Sequence, residues 1–264
     1  MLLAGVLLLL LGIILVFVYR SQQRKLGDIA GTETTTVAAL RSLLEDFRQR
    51  GGGAFQYQAE LKGTIECESP LTSELAGEKC VHYRLRVERE WEEDYWETDS
   101  RSGRREQRTR RGSDTVSSNE RSLPFLLRDG TGAIHVDPAG ADIETVQVMD
   151  RYEPGSPSGG VLSLGGFQIS IGLPGGGRRT LGHRFQEWVT PVGRSAYVLG
   201  PVREREGELI LARLPEGGRR FLVCLRSEEE MVRSLRSALM GLRAGIVIAL
   251  LAGIGLLVAG LAHR

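Results

Sequence analysis

The residues of this sequence whose types could carry chemistry are few. Cys80 and His82 stand two apart, as two ligands of a zinc site would. A structural zinc needs four such ligands, and no second Cys or His pair lies nearby in the sequence. His82 and His135 fall on outward positions of alternating stretches, and His183 falls in a loop region, so none is read as a ligand. The run Gly172-Leu173-Pro174-Gly175-Gly176-Gly177-Arg178-Arg179 imitates a phosphate loop. Arg178 stands where the lysine should reach the phosphates, and Arg179 where a hydroxyl should hold magnesium. No GxSxG nucleophile turn occurs. The acidic residues follow surface positions, so no carboxylate pair is assigned. Cys67, Cys80 and Cys224 are odd in number and far apart, which argues against a disulfide framework. The expectation is therefore no catalytic residue, no cofactor and no metal.

One constellation does stand out. Glu88, Glu90, Glu92, Glu93, Asp94 and Glu97 are followed, after a short turn, by Arg101, Arg104, Arg105, Arg108, Arg110 and Arg111. Two antiparallel arms of opposite charge stabilise each other and blunt an exposed edge. A nucleic-acid surface would need an uncompensated basic field. Here the acids are close enough to cancel it, so no nucleic-acid partner is expected. Glu88, Glu90, Glu92, Arg104, Arg105 and Arg108 are the candidate interaction residues.

The elements that position this hairpin begin at the ends of the chain. Leu2 to Val18 and Ala244 to Ala262 carry no charge. As helices they match a hydrocarbon core about 30 Å thick. No cleavage site follows the first stretch, so it reads as an anchor and not a removed leader. Arg20, Arg24 and Lys25 flank the first span, and Arg226, Arg233, Arg236 and Arg243 flank the second. Positive flanks stay inside, which places the central domain in the cytoplasm of a prokaryotic cell, on a two-span protein of the cell membrane. Gly245, Ala249 and Gly253, four apart, offer a face for close helix packing. Its partner is either the first span or a second copy of the chain, which would make a homo-oligomer.

The divisions expected are residues 1–19 as a transmembrane helix, 20–53 as a juxtamembrane amphipathic segment, 54–226 as a β domain, 227–243 as a second juxtamembrane helix and 244–262 as a second span. Val37, Leu40, Leu43, Leu44 and Phe47 fall on one helical face, ended by Gly51-Gly52-Gly53. Ser227-Glu228-Glu229-Glu230 has capping-box spacing. Val81, Tyr83, Leu85 and Val87 alternate with polar residues, as in a half-buried strand. Asp129-Gly130-Thr131-Gly132 reads as a hairpin turn whose glycines supply positive φ. Residues 152–180 read as a Gly/Ser/Pro-rich connection holding one short strand. The whole is a mainly β domain, a small barrel or sandwich of OB-like character, flanked by two transmembrane helices and short amphipathic ones.

Several local sequences carry a resemblance. Gly63-Thr64-Ile65, Ser69-Pro70-Leu71-Thr72-Ser73 and Cys80-Val81-His82-Tyr83 come first. Pro124-Phe125 with Asp129-Gly130-Thr131-Gly132 follows, and then Gly193 to Gly200 with Gly207-Glu208-Leu209-Ile210. In that order they resemble the GIDE, or "beside a membrane", domain. The resemblance implies kinship with mitochondrial membrane-anchored E3 ubiquitin ligases, also described as SUMO ligases. In those proteins the domain faces the intermembrane space and a RING finger follows the second span. This sequence has no RING cysteines or histidines after its second apolar stretch, so ligase activity is not expected to transfer. The expected function is a membrane-anchored interaction or scaffolding module with the bilayer and an unidentified protein as partners. The alternative is a member or partner of a ubiquitin-like conjugation system whose RING lies on another chain.

Overall fold

The structure is a computed structural model and describes residues 2–30, 34–98, 103–155, 161–164, 167–170, 178–214, 220–225 and 228–262. In chain order the elements open with α1 (Leu2–Ala30), β1 (Thr34–Thr35) and α2 (Val37–Gln49). Strands β2 (Gln56–Glu66), β3 (Leu71–Thr72), β4 (Lys79–Thr98), β5 (Arg105–Ser122), β6 (Phe125–Asp129), β7 (Gly132–Val136) and β8 (Asp142–Ile143) follow. Then come β9 (Val146–Pro154), β10 (Val161–Leu164), β11 (Phe167–Ser170), β12 (Arg178–Pro191), β13 (Ser195–Arg205), β14 (Glu208–Leu211) and β15 (Leu222–Cys224). The chain closes with α3 (Glu228–Ala262).

Five strands close into a barrel. β2 pairs with β6, β6 with β7, β7 with β14, β14 with β13, and β13 returns to β2. All of these pairings are antiparallel except β7 with β14. This is a small Greek-key barrel of OB type. Leu61, Ile65, Leu127, Ile134, Val136, Val198, Val202 and Leu211 point inward and are buried. Each lies in an alternating stretch, so one face of every strand is apolar.

α2 packs against this barrel through Val37, Leu40 and Leu44, which recur at helical spacing and are buried. Phe47 meets Phe55 edge-on, with ring centroids 5.5 Å apart. The first three amides of a helix lack intrahelical partners, and here each finds one. Val37 N donates to Asp129 Oδ2 at 2.8 Å, Ala38 N to Thr131 Oγ1 at 3.1 Å, and Ala39 N to Thr36 Oγ1 at 3.2 Å. The turn between β6 and β7 is thus the docking platform for α2. Its glycines do not supply positive φ as expected, since neither Gly130 nor Gly132 has one. The turn is set instead by Asp129 Oδ1, which accepts from the amides of Thr131 and Gly132. Positive φ is used at the β13–β14 turn, where Glu206 and Gly207 stand at 55° and 87°.

The second sheet runs β3-β4-β12-β9, with β5 paired to β4. Tyr83, Leu85, Val87, Phe185 and Val189 form its core. Glu187, fully buried on β12, accepts from Leu75 N at 3.0 Å and Ala76 N at 2.7 Å and so fixes the turn before β4. Glu60 is also fully buried, held by Tyr197 Oη at 3.0 Å and Thr34 Oγ1 at 2.5 Å. These two correct the expectation that the acids lie on the surface. A carboxylate can be taken from water when fixed donors replace it.

Among the described residues, the barrel joins the second sheet at one end. Thr64 pairs with Ser195, and Ile65 exchanges backbone hydrogen bonds with Gly193 and Arg194. There β2 leaves for β3, β12 turns into β13, and β6 enters opposite Glu66. Tyr197, two residues into β13, pairs with Cys224, the last residue of β15. β15, the last strand before α3, therefore terminates at that same end.

The expected long connection at 152–180 is partly strand. β9 runs to Pro154, β10 and β11 pair as a hairpin, and β12 begins at Arg178. Residues 171–177, most of the phosphate-loop imitation, lie outside the described residues, as do Arg101, Arg226, Ser227, His263 and Arg264.

α1 and α3 are each long and apolar enough to cross a membrane, over Leu3–Gln23 and Ser237–Leu256. The first helix continues past its apolar stretch to Ala30. The two helices pack on each other.

Candidate interaction surface

The charged hairpin forms as a long two-stranded ribbon. β4 and β5 stay in register from His82 opposite Ser122 to Thr98 opposite Arg105, with a bulge after Val87. β12 pairs with β4 only as far as Arg178 opposite Glu93. Among the described residues, five rows beyond it, Asp94 to Thr98 against Arg105 to Thr109, have no third strand in register. At about 3.3 Å per residue they project roughly 15 Å.

Side chains alternate across the ribbon, so the register sorts the charges onto two faces. The first face carries Arg89, Trp91, Glu93, Tyr95 and Glu97, opposite Asp114, Gly112, Arg110, Arg108 and Glu106. Arg89 Nη2 meets Asp114 at 2.7 Å, Arg110 Nε meets Glu93 at 2.8 Å, and Arg108 meets Glu97 at 2.9 Å. Arg178 comes in from β12. Its guanidinium lies 4.0 Å over the ring of Trp91 and within 3.6 Å of both Glu93 and Asp114. Gly112 is required opposite Trp91, because a Cβ there would come within 2.5 Å of the indole. Arg110 stacks 5.7 Å from the ring of Tyr95. This face is a self-paired ladder in which cation–π contacts knit the ion pairs together.

The second face carries Glu88, Glu90, Glu92, Asp94, Trp96 and Thr98, opposite Thr115, Ser113, Arg111, Thr109, Gln107 and Arg105. Glu92 is gripped by both Arg179 and Arg111. The Arg179 hydrogen bond first, then the nearby Arg111 charge, hold the Glu92 carboxyl below its usual range. Asp94 accepts from Thr109 Oγ1 at 2.6 Å. In the last two rows this face has Trp96, Gln107, Thr98 and Arg105, and no carboxylate. Trp96 is 63% exposed, the most exposed large apolar side chain outside the two long helices among the described residues.

The arms do pair across strands, but in a different register from simple acid-on-base. Glu88 and Glu90 face Thr115 and Ser113, Arg105 faces Thr98, and Arg104 precedes β5 and is exposed. Arg108 bridges Glu97 and Glu106 at 2.9 and 3.6 Å. Two further partners, Arg178 and Arg179 from β12, could not be read from the hairpin's own sequence. Their only signal was the failed phosphate-loop motif.

The histidines fall differently from expectation. His82 is buried at 4% exposure, with Nδ1 2.8 Å from Ser122 Oγ and Nε2 3.8 Å from Glu120. Burial, against the pull of Glu120, lowers its pKa. The trio contains the residue types of a hydrolytic triad, but His82 and Ser122 meet because they are cross-strand partners. His183 is on β12 and not in a loop, 1% exposed, beside Arg89 and Glu153 in register. Burial and Arg89 lower its pKa. His135 is exposed as expected. Cys80 is buried, which pushes its thiol up to about 11. Among the described residues no group of three or more His, Cys, Asp or Glu side chains is placed to hold a metal.

Gly245 and Ala249 lie on the side of α3 that meets α1, and Gly253 comes four residues beyond Ala249. Ala249 and Gly253 are buried, a Cβ on Gly245 would sit 3.8 Å from Leu15, and one on Gly12 would sit 3.1 Å from Leu250.

An OB-type barrel carrying a second sheet, between two helices able to cross a membrane, defines the class. The profile of the GIDE family, described as E3 ubiquitin ligase, matches residues 93–259, and the chain belongs to that family. The match takes in four of the five barrel strands, the outer part of the ribbon and α3. No curated protein and no solved structure matches the chain.

Proposed function

We propose that the chain is a membrane-anchored interaction module whose β4–β5 ribbon engages a partner protein beside the bilayer. The observation that carries this reading is the ribbon's five outer rows, which project past β12 with exposed aromatic and charged side chains. Loops and hairpins on a rigid scaffold are where binding surfaces concentrate. The first face, with Tyr95, Glu97, Glu106 and Arg108, is the proposed protein-facing one. In this reading both apolar helices lie in the membrane of the cell, and the basic flanks of the two stretches support a cytoplasmic barrel.

Deleting residues 88–111 would remove paired sheet along with the tip, so substitution is the cleaner test. The full chain with Glu97→Gln, Glu106→Gln and Arg108→Gln is purified from detergent beside the unaltered chain. Loss of specific co-purifying proteins supports the reading. An unchanged partner set removes the hairpin from it. Protease access to tags at each terminus tests the orientation, and cytoplasmic tags would reverse it.

A second reading is favoured by the family's description as E3 ubiquitin ligase. The chain would serve a ubiquitin-like conjugation system, with its RING supplied by another polypeptide. Purified chain is added to activating enzyme, charged conjugating enzyme and a separate RING protein. Transfer that rises on adding the chain supports this reading, and no change argues against it.

A further inference from the structure

We propose that the second face of the ribbon tip lies on the membrane surface, with Trp96 in the headgroup layer and Arg105, Arg111 and Arg179 against anionic phospholipid headgroups. The proposal rests on the reading that α1 and α3 are embedded in lipid.

Three observations carry it. First, direction: the second sheet leaves the barrel from the end at which β15, the last strand before α3, terminates. Cys224 pairs with Tyr197 there, two residues from Ser195, where β12 has just turned into β13. Second, length: β4 is 20 residues long and reaches roughly 65 Å from its start beside the barrel. α3 begins at Glu228 and its apolar stretch at Ser237, only about 14 Å of helix later. A ribbon that long, leaving from the membrane-bound end, has no room to stand between barrel and bilayer. It must run along the surface.

Third, chemistry. From Glu92 outward the second face holds three arginines, Arg105, Arg111 and Arg179, against two carboxylates, Glu92 and Asp94. Arg111 and Arg179 are each 75% exposed. Its last two rows add an exposed indole and no acid. The first face of the same tip carries Glu97 and Glu106 and is closed by ion pairs with Arg108. Tryptophan beside arginine is the composition that settles at a membrane–water interface, where the ring is half dehydrated and the guanidinium meets phosphate. A protein or a nucleic acid covering Trp96 would have to fit between this face and the bilayer.

The test uses the full chain in vesicles of phosphatidylcholine, alone or mixed equally with phosphatidylglycerol. The acyl chains are either plain or brominated near the headgroup. The sequence has three tryptophans, Trp91, Trp96 and Trp188, and none lies in the apolar stretches. Bromine quenches only indoles at that depth, so emission should fall in the brominated mixed vesicles. Trp96→Phe should abolish the fall. Arg105→Glu with Arg111→Glu should reduce it in the mixed vesicles while the chain remains inserted. Equal emission from plain and brominated vesicles overturns the proposal, as does quenching that Trp96→Phe leaves unchanged. Quenching of the same size without phosphatidylglycerol overturns the headgroup assignment. Alkaline carbonate extraction of the same vesicles separates this failure from failure of insertion. A chain that stays with the lipid but shows no Trp96 quenching is embedded without the ribbon contact.

Discussion

Arg243 Nε donates a 2.6 Å hydrogen bond to the hydroxyl of Tyr19, and its guanidinium lies 5.4 Å from the same ring. The bond joins two helices whose residues are 224 positions apart. It sits at the ends of the apolar stretches nearest the barrel, where an amphipathic pair is at home. Toward the opposite ends, Gly12 and Ala249 let the backbones approach.

Bulk at that seam should part the helices. Gly245→Leu with Gly253→Leu should reduce cross-linking between cysteines placed at Leu15 and Gly245-adjacent positions of α3. An unaltered cross-linking rate in membranes would show that the small residues are not what holds α1 against α3.

The platform that Asp129 offers to α2 predicts a stability loss. Asp129→Ala should cost about 1 kcal/mol or somewhat more, the usual cost of losing a helix cap, because it leaves the Val37 amide unpaired and loosens the β6–β7 turn. Asp129→Asn, which keeps an acceptor, should cost less. Thermal unfolding in detergent measures both, and equal midpoints for the Ala variant and the unaltered chain would refute the capping role.

The same carboxyl predicts an acid dependence. Burial opposes its charge, but the amides of Val37, Thr131 and Gly132 with the Thr131 hydroxyl outweigh it, and its pKa is lowered. A carboxyl held lower in the folded state binds its proton more weakly there than in the unfolded chain. Its contribution is therefore complete above the unfolded value of about 3.9. It is lost as pH falls through the lower folded value. The stability difference between the unaltered chain and Asp129→Asn should be constant near neutrality and shrink in acid. A difference that grew on acidification would contradict the assignment.

Glu187 predicts the largest single loss in the second sheet. Glu187→Leu leaves the half-buried amides of Leu75 and Ala76 without their acceptors. Unsatisfied donors cost about 1–3 kcal/mol each, so a loss of about 2 kcal/mol or more is expected. Amide hydrogen exchange at Leu75 and Ala76 should speed up more than at Val198 in the barrel. Uniform acceleration would mean that the turn is held by something else.

Much of this fold was legible in the residues. Two charge-free stretches, the apolar face of α2, the alternation of Val81 to Val87 and the paired runs of acid and base each follow from local periodicity. That periodicity is set by side-chain direction along a helix or strand. What was not legible lies where strands distant in sequence meet. Trp91 reads as part of a polar arm, yet it is buried because Arg178 and Gly112 close over it. His82, Glu60 and Glu187 read as surface residues and His183 as a loop residue, because burial of a polar group depends on partners the chain brings from far away. The Asp-Gly-Thr-Gly turn announced a hairpin, but only the folded chain turned it into a helix cap.

The sequence by itself determined that this chain has two apolar ends, a mainly β middle and a hairpin of opposed charges, because composition and period act within a few residues. Only the tertiary structure decided that five strands close into a barrel and that the ribbon and α3 share one end of it. It alone sorted acids and arginines onto a paired face and a face ending in Trp96 and Arg105. Closure and facing depend on register between distant strands, and a shift of one residue would exchange the two faces.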